Sequence, residues 1–161
     1  MVKMPPNVVA AFAPEIVAMI TQFYEENIPF NKLLGLKVVS IRPEQVTARI
    51  DMRRELVGHR PSHRIHGGVF SAAVDVTGAL AVMAAISARH IDETHAQLAE
   101  RFSKLGTIDL HIDYLRPGQG EHFLFRAELL RLGSRVATAR TDVLAADGKM
   151  LATGTTAYIV S

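Results

Sequence analysis

Apolar residues recur at three- and four-residue steps near the start of the chain, which is the spacing of one face of an α-helix. They are Val8, Phe12, Ile16, Met19, Ile20 and Phe23. Pro29 ends the pattern, because proline lacks the N–H that a continuing helix needs. We therefore expect a helix over residues 7–27. We also expect residues 1–29 to form a helical segment that packs on one domain, residues 30–161.

A long apolar segment in the middle of the chain predicts a second helix, over residues 68–89. It is long enough to span a bilayer, but Asp75 lies within it and a carboxylate is costly at that depth. No second segment of this kind exists, so we interpret it as a helix buried by its own domain. An ordinary helix is predicted over residues 93–105, with Asp92 or Thr94 as its cap and Gly106 at its end.

The remaining apolar patterns are typical of strands, most of them alternating with polar residues. Six strands are predicted, over residues 36–42, 45–51, 108–114, 122–131, 135–144 and 150–160. Residues 52–66 are polar, basic and irregular, which predicts a loop. Short turns between consecutive strands require antiparallel pairing, and a helix that is apolar nearly all round must be covered on most sides. The sequence therefore predicts an α+β fold, in which a curved antiparallel sheet wraps around one long central helix.

Composition excludes several classes of protein. The chain has 18 Lys and Arg against 16 Asp and Glu, a net charge of +2, which is too balanced for an electrostatic nucleic-acid binder. Apolar residues make up 48% of the chain, enough for a core. The absence of cysteine excludes disulfides, thiolate metal sites and a cysteine nucleophile, and it fits a cytoplasmic protein. We expect no signal peptide, because Glu15 interrupts the apolar stretch near the start.

The segment that joins the basic loop to the apolar helix is the candidate for chemistry. His66, Gly67 and Gly68 precede the helix, where free N–H groups can bind an anion or the oxyanion of an attacked carbonyl. The competing interpretation is that the glycines only make a tight entry into the helix. Asp75 is the sharper indication, either as a base or nucleophile in a partly dry cleft or as a structural carboxylate at a subunit interface.

The spacing of these residues constrains the site. Gly67 and Asp75 are eight residues apart, which is roughly 12 Å along a helix. An oxyanion donor and a base must each come within about 3 Å of the reacting group, so one copy of the helix cannot easily supply both. Two antiparallel copies across a dimer axis can. If the site is catalytic, we expect it to be shared between two subunits.

With these residues, the sequence resembles the hotdog-fold acyl-CoA thioesterases of the phenylacetic-acid-pathway type. The resemblance rests on His66-Gly67-Gly68 followed by Asp75, and on segments 106–109, 114–117 and 133–135. It covers about residues 30–160 and is nearest to a bacterial group with an extra helix, here residues 93–105. It implies a hotdog fold, a homodimer paired into a dimer of dimers, and a thioester of coenzyme A or carrier protein as substrate. It implies no cofactor other than the coenzyme A of the substrate.

The resemblance also assigns roles to single residues. It implies that the Gly67 N–H polarises the thioester carbonyl and that Asp75 of the other subunit acts on water or attacks directly. Thr107 matches the small hydroxyl residue that orients the water, and His66 is expected to hydrogen-bond the glycine turn. Several relatives carry Asn six residues before the His-Gly-Gly motif, where this chain has Arg60. Either His63, His59 or Ser62 replaces it, or the leaving group is handled in a different way.

Arginines are candidates for the phosphates of coenzyme A, because the planar guanidinium binds phosphate through two parallel hydrogen bonds. The basic loop supplies Arg53, Arg54, Arg60 and Arg64, and predicted turns supply Arg116 and Arg135. A solvated surface is the plainer interpretation of the loop, and docking of phosphates is the functional alternative. The candidate substrate-binding residues are Gly68, His63, Arg60, Arg116 and Arg135.

Some residues are given a plain structural interpretation. Pro61 argues against a helix that would bring His59, His63 and His66 onto one metal ion, so we predict no metal site. The aromatic residues Phe12, Phe23, Tyr24 and Phe30 either line an acyl tunnel or simply pack. Two other functions remain open: a hydratase or dehydratase of acyl thioesters on the same scaffold, and a non-enzymatic acyl-CoA binding module.

Overall fold

The computed structural model describes residues 12–161. The helices are α1 (Pro14–Gln22), α2 (Pro29–Leu34), α3 (Gly67–Arg89) and α4 (His95–Ser103). The strands are β1 (Leu36–Ile41), β2 (Val46–Asp51), β3 (Val57–His59), β4 (Arg64–Ile65), β5 (Gly106–Tyr114), β6 (His122–Leu132), β7 (Val136–Ala145) and β8 (Met150–Ile159).

The main sheet has six strands in the order β1-β2-β6-β7-β8-β5, and every neighbouring pair is antiparallel. Helix α3 packs against β6, β7 and β8 at the centre of this sheet. In the core between them, the ring of Phe70 meets Phe123 and Phe125 edge to face, an arrangement that aromatic rings favour. The predicted α+β fold, a six-stranded antiparallel sheet with one long central helix, is confirmed.

Helix α3 is the one helix of the described residues that is long and apolar enough to cross a membrane, but most of it is buried in the fold. It begins one residue earlier than predicted, at Gly67, and ends at Arg89 as predicted. The interpretation of this segment as a buried core helix is therefore confirmed.

The N-terminal helical region differs from the prediction. Helix α1 begins at Pro14, and residues 7–11 of the predicted helix lie outside the described part of the chain. A π-helical turn, Phe23–Asn27, follows α1. The first helical run ends before Pro29, as predicted, since the π-helical turn stops at Asn27 and Ile28 is extended. The prediction did not include the new helix α2 that Pro29 begins, which is possible because the first helical turn needs no N–H from that residue. Ile20 and Tyr24 reach the core of the domain from this region.

The basic segment 52–66 is more ordered than a loop. It holds a 3-10 turn, Arg54–Leu56, the short antiparallel pair β3 and β4, and a second 3-10 turn, Arg60–Ser62. The prediction of an irregular loop was wrong here, because strand pairs this short show no alternating pattern in the sequence.

Helix α4 is capped by Thr94, with Gln97 completing a capping box, and it ends before the predicted Gly106.

Strand β5 lies at one edge of the main sheet. Its register against β8 shifts between Thr107 and Asp109, so Ile108 is an extra, bulged residue. Apolar and polar residues alternate along β5, a pattern that predicts one buried face, but Ile108 is 57% exposed and Tyr114 is 52% exposed. A long edge strand with exposed apolar side chains is a surface that proteins normally cover.

Candidate active site

The N-terminus of α3 is capped in a way that leaves one amide free. The Nδ1 atom of His66 accepts the N–H of Gly68 at 2.9 Å, and the carbonyl oxygen of His66 accepts the N–H of Val69 at 2.9 Å. Within residues 12–161 the Gly67 N–H has no acceptor. This amide also lies at the positive end of the helix dipole, so it is ready to bind a developing negative charge.

A cleft of about 330 Å³ opens at Gly67. Arg64, Tyr114 and Arg116 contribute to its walls. The Tyr114 hydroxyl donates to the carbonyl oxygen of Gly67 at 2.9 Å, which fixes the first residue of the helix against the end of β5. Arg116 donates to the carbonyl oxygen of Met150 at 2.8 Å, so its side chain is tethered beside the cleft. The cleft therefore combines a free amide with two guanidinium groups.

Asp75 lies two turns further along α3, half-buried, and its carboxylate is held from one side. The Thr107 hydroxyl donates to Oδ1 of Asp75 at 2.9 Å. The Tyr158 hydroxyl donates to the backbone carbonyl oxygen of Asp75 at 2.6 Å. Among the described residues Oδ2 of Asp75 has no hydrogen-bond donor. The carboxylate is thus oriented, with one oxygen free to act on a substrate or water.

Gly78 allows α3 to approach β8 closely at this point. A Cβ atom on Gly78 would lie 2.5 Å from the hydroxyl oxygens of Thr156 and Tyr158. The absence of a side chain brings the helix near enough to Tyr158 for its hydrogen bond to Asp75. The position of Asp75 therefore depends on this contact between helix and sheet.

Two tyrosines near Asp75 are kept neutral. Burial raises the pKa of Tyr158 well above its usual range, and the negative charge of Asp75 adds to the effect. Burial raises the pKa of Tyr24 as well, again with a contribution from Asp75. Both phenols therefore remain hydrogen-bond donors, and the Tyr24 hydroxyl donates to the sulfur of Met83 at 3.2 Å.

Gly67 and Asp75 lie on the same helix, eight residues apart. This corresponds to roughly 12 Å at 1.5 Å per residue. Within one chain, each is held by a different part of β5: Gly67 by Tyr114 near the end of the strand, and Asp75 by Thr107 near its start. One chain therefore presents two half-sites along the same edge of the sheet.

The other predicted binding residues, His63, Arg60 and Arg135, lie outside the cleft at Gly67. His63 and Arg60 share a surface cleft with Arg54, and His63 also faces a second cleft beside Arg53. Arg135 lies at the other end of the sheet, where its carbonyl oxygen accepts the N–H of Val160 at 2.9 Å. Arg64 and Arg116 are thus the arginines that share a cleft with Gly67.

The three histidines of this region do not meet around one point. His66 caps α3, while Nδ1 of His59 lies 2.6 Å from the hydroxyl of Ser62. In the part of the chain that the structure describes, no three side chains of the metal-binding types come together.

Sequence reasoning did not single out Tyr158 or the tethering role of Tyr114. Both residues occupy ordinary alternating positions of strands, so nothing in the pattern separates them from packing residues. The signal for Tyr158 is Gly78, a glycine inside an apolar helix, because such a residue indicates a close approach by another element.

A family model described as thioesterase superfamily matches residues 63–152, which include both half-sites. The chain belongs to the thioesterase superfamily. It is 32% identical to the medium/long-chain acyl-CoA thioesterase YigI of Escherichia coli K12 over 148 residues, which are 92% of this chain and 96% of that protein. It is 34% identical to the protein of the same name from Salmonella typhimurium over 150 residues, with the same two shares.

A solved structure agrees with this membership of the thioesterase superfamily. A Shewanella oneidensis protein, described as related to that superfamily, is 35% identical and superposes with a TM-score of 0.86. The superposition covers 91% of this chain and 96% of the Shewanella chain. The resemblance of the sequence to hotdog thioesterases is therefore confirmed at the level of the superfamily and its fold.

Proposed function

We propose that this protein hydrolyses the thioesters of coenzyme A with medium-chain or long-chain acyl groups. The relatives from Escherichia coli and Salmonella typhimurium bear the name of that activity. The single observation that supports it in this chain is the pair of half-sites on α3. Gly67 offers a free N–H, and Asp75 offers an oriented carboxylate with one free oxygen.

The proposed reaction adds water to the thioester. The water oxygen bonds to the carbonyl carbon while Oδ2 of Asp75 takes one proton, and the Gly67 N–H binds the oxyanion that forms. The C–S bond then breaks, and the departing sulfur receives the proton from Asp75, which gives the free acid and the coenzyme A thiol. In the alternative, a carboxylate oxygen of Asp75 attacks the carbonyl carbon, the C–S bond breaks to release the coenzyme A thiolate, and water then hydrolyses the anhydride to the free acid and the Asp75 carboxylate. Labelled water in a single turnover separates the two routes, because only the second can place the label in Asp75.

We assign supporting roles to two further residues. Thr107 positions the carboxylate of Asp75 and shares its remaining lone pairs with the attacking water. His66 accepts the N–H of Gly68, which keeps this amide occupied and leaves Gly67 as the donor to the substrate. An accepting Nδ1 requires the tautomer with the proton on Nε2.

We propose that the working site forms across a homodimer. The edge strand β5 exposes Ile108, Leu110 and Tyr114, and both half-sites lie along it. A second copy placed antiparallel along this edge would bring its Gly67 towards the Asp75 of the first. This arrangement removes the need for one helix to span the distance between donor and base. The further pairing of dimers into a tetramer is proposed from the family resemblance alone.

Coenzyme A is proposed to approach through the cleft at Gly67. Arg64 and Arg116 are placed to meet its phosphates there, and Arg60 and His63 line a separate cleft that is a second candidate for them. Arg135 lies away from this cleft, so we propose that it contacts the coenzyme A bound at the cleft of the partner subunit. A carrier-protein thioester remains a second form of substrate, and the phenylacetic-acid-pathway type remains a proposal for the acyl group. We propose a cytoplasmic enzyme without a cofactor of its own.

The test is a thiol-release assay with acyl-CoA substrates from acetyl to palmitoyl, together with phenylacetyl-CoA and benzoyl-CoA. Wild type should release thiol, and Asp75→Asn should lower kcat by about 10²- to 10⁴-fold, the usual contribution of a general base. Asp92→Asn is the matched control, because Asp92 is an exposed carboxylate in the turn before α4, outside both half-sites and outside the edge strand β5. Near-wild-type turnover by Asp75→Asn would refute the mechanism. Hydration of crotonyl-CoA without thiol release, or binding without release, would instead favour a hydratase or a binding module.

A further inference from the structure

An apolar cavity lies among the three helices outside the sheet. We call it the three-helix cavity and define it by Met19, Ile20, Phe23, Met83, Ala99 and Phe102. Its volume is about 390 Å³, and its walls come from α1 and the following turn, from α3 and from α4. Met19 is 37% exposed and Phe23 is 44% exposed, so two large apolar side chains stand uncovered at this cavity. Such a wall fits an apolar ligand of moderate size.

Helix α3 carries both the carboxylate of the candidate site and one wall of the three-helix cavity. Asp75, Ala79 and Met83 follow one another at four-residue steps, so they share one face of α3. Ala79 is only partly buried, while the residues that continue the helix beyond it are buried. The Tyr24 hydroxyl, whose pKa is raised by the charge of Asp75 as well as by burial, rests on the sulfur of Met83. These contacts join the region of Asp75 to the wall of the cavity.

The distance between Asp75 and the three-helix cavity determines how long an acyl chain must be to reach the cavity. Asp75 and Met83 are eight residues apart on α3, which is roughly 12 Å along the axis. An extended hydrocarbon chain gains about 1.3 Å per carbon, because its C–C bonds of about 1.5 Å follow a zigzag. A thioester carbonyl held at Asp75 therefore needs roughly nine carbons to reach the cavity. A butyryl group stops short of it, while a dodecanoyl group enters.

We infer that the three-helix cavity binds the distal end of the acyl chain and so makes the enzyme prefer medium-chain and long-chain substrates. The inference rests on the proposed function, which places the thioester carbonyl at Asp75. It adds a binding site that makes activity depend on the length of the acyl chain. The side chains fit this role, because methionine adapts its shape to a flexible ligand and aromatic rings offer a large apolar area. Each methylene that enters should raise kcat/KM about fourfold, from the free energy of burying one CH₂.

The kinetic test fills the cavity from its outer wall. Ala99→Phe adds a ring at a position on α4 that lines the three-helix cavity, and Ser103→Phe does so from the next turn. Either variant should lower the ratio of kcat/KM for dodecanoyl-CoA to that for butyryl-CoA by about tenfold or more, which corresponds to about two excluded methylenes. Ala96→Phe is the matched control, because Ala96 is an exposed alanine of the same helix outside the cavity wall. An unchanged ratio in both filling variants, with folding verified by circular dichroism, would overturn the inference.

A labelling test does not depend on turnover. The probe is a dodecyl thioether of coenzyme A, which cannot be hydrolysed, with a photoreactive diazirine at its last carbon. Illumination should attach it to Met83 or to the segments 14–27 and 95–103, which together contain the cavity walls, and Ala99→Phe should reduce this labelling. Labelling confined to other segments would overturn the inference. The absence of thiol release from every acyl-CoA would refute the proposed hydrolysis instead, so the two failures are distinguishable.

Discussion

The hydroxyl of Thr107 and the carboxylate of Asp75 are joined by a 2.9 Å hydrogen bond that a regular strand would not allow. The alternation of β5 places Thr107 on the face of Asp109 and His111, which points away from α3. The bulge at Ile108 shifts the register by one, so Thr107 pairs with Tyr158 and turns towards the helix. The bulge therefore builds this half-site by re-aiming one side chain.

Removal of the Thr107 hydroxyl should impair catalysis more than folding. Thr107→Val keeps the shape of the side chain but loses the hydrogen bond to a charged group, which is worth about 1.5–3 kcal/mol. We expect kcat to fall about 10- to 100-fold on that basis. The temperature of unfolding should fall by only a few degrees, because the bond is exposed to solvent. Thr107→Ser restores the donor and should recover most of the rate. Equal losses in the valine and serine variants would show that the hydroxyl is not used.

The free amide of Gly67 can be removed with little change elsewhere. Gly67→Pro deletes the N–H at the first position of α3, where proline is well tolerated, and the extended backbone of His66 suits a following proline. The loss of one oxyanion donor should lower kcat about 10²- to 10³-fold. Gly67→Ala keeps the N–H while bringing a similar Cβ against the ring of Tyr114, so it controls for that contact. Steady-state kinetics on both variants measures the difference.

Gly78→Ala should destabilise the protein although alanine is the better helix former. In an exposed helix the substitution would stabilise by up to about 1 kcal/mol. Here the added methyl group would collide with the hydroxyls of Thr156 and Tyr158, and overpacking of this kind costs about 1–3 kcal/mol. Urea denaturation should show a lower free energy of unfolding, together with reduced turnover because Asp75 moves with the helix. An increase in stability would contradict the close approach of α3 and β8.

Alkaline unfolding should depend on the two buried tyrosines. Burial raises the pKa of Tyr24 and Tyr158 in the folded state, so the folded protein retains their protons when the unfolded chain releases them near pH 10. Their contribution to stability is complete below that pH and is lost as the pH rises above it. Phenolate absorbance from these two residues should therefore appear only with unfolding. Phenolate formation by either residue in the folded protein would contradict their burial.

Phenylalanine variants of Tyr24 and Tyr158 test whether the two phenol groups cause this loss of stability at high pH. Tyr158→Phe and Tyr24→Phe should each make the free energy of unfolding fall less steeply above pH 10, because one linked proton is removed. Tyr158→Phe also loses the hydrogen bond to the backbone of Asp75 and should reduce kcat, while Tyr24→Phe loses only a contact with Met83.

The sequence predicts the fold well because its strongest patterns are global. The apolar run of α3 requires cover on most sides, and the alternating strands require burial on one face, so their packing follows from the pattern. The short pair β3 and β4 and the helix that begins at Pro29 were missed, since elements of a few residues show no period and proline is compatible with a helix start.

The two half-sites differ in how far they could be predicted. His66, Gly67 and Gly68 form a local motif, and the cap that leaves the Gly67 amide free follows from helix geometry. The partners of Asp75 come from distant segments. Thr107 reaches it only through a bulge, and Tyr158 only through the space left by Gly78. A one-residue change of register carries no periodic signal, so this contact required the structure.

Subunit mixing tests most directly whether Gly67 and Asp75 act across a dimer. Asp75→Asn and Gly67→Pro, each nearly inactive alone, would be co-expressed with different affinity tags and the mixed dimer isolated through both. A shared site gives the mixed dimer one pairing of intact Gly67 with intact Asp75, so the account predicts about half of the wild-type thiol release. If each site lay within one chain, the mixed dimer would be as inactive as its parents, and that result would contradict the account.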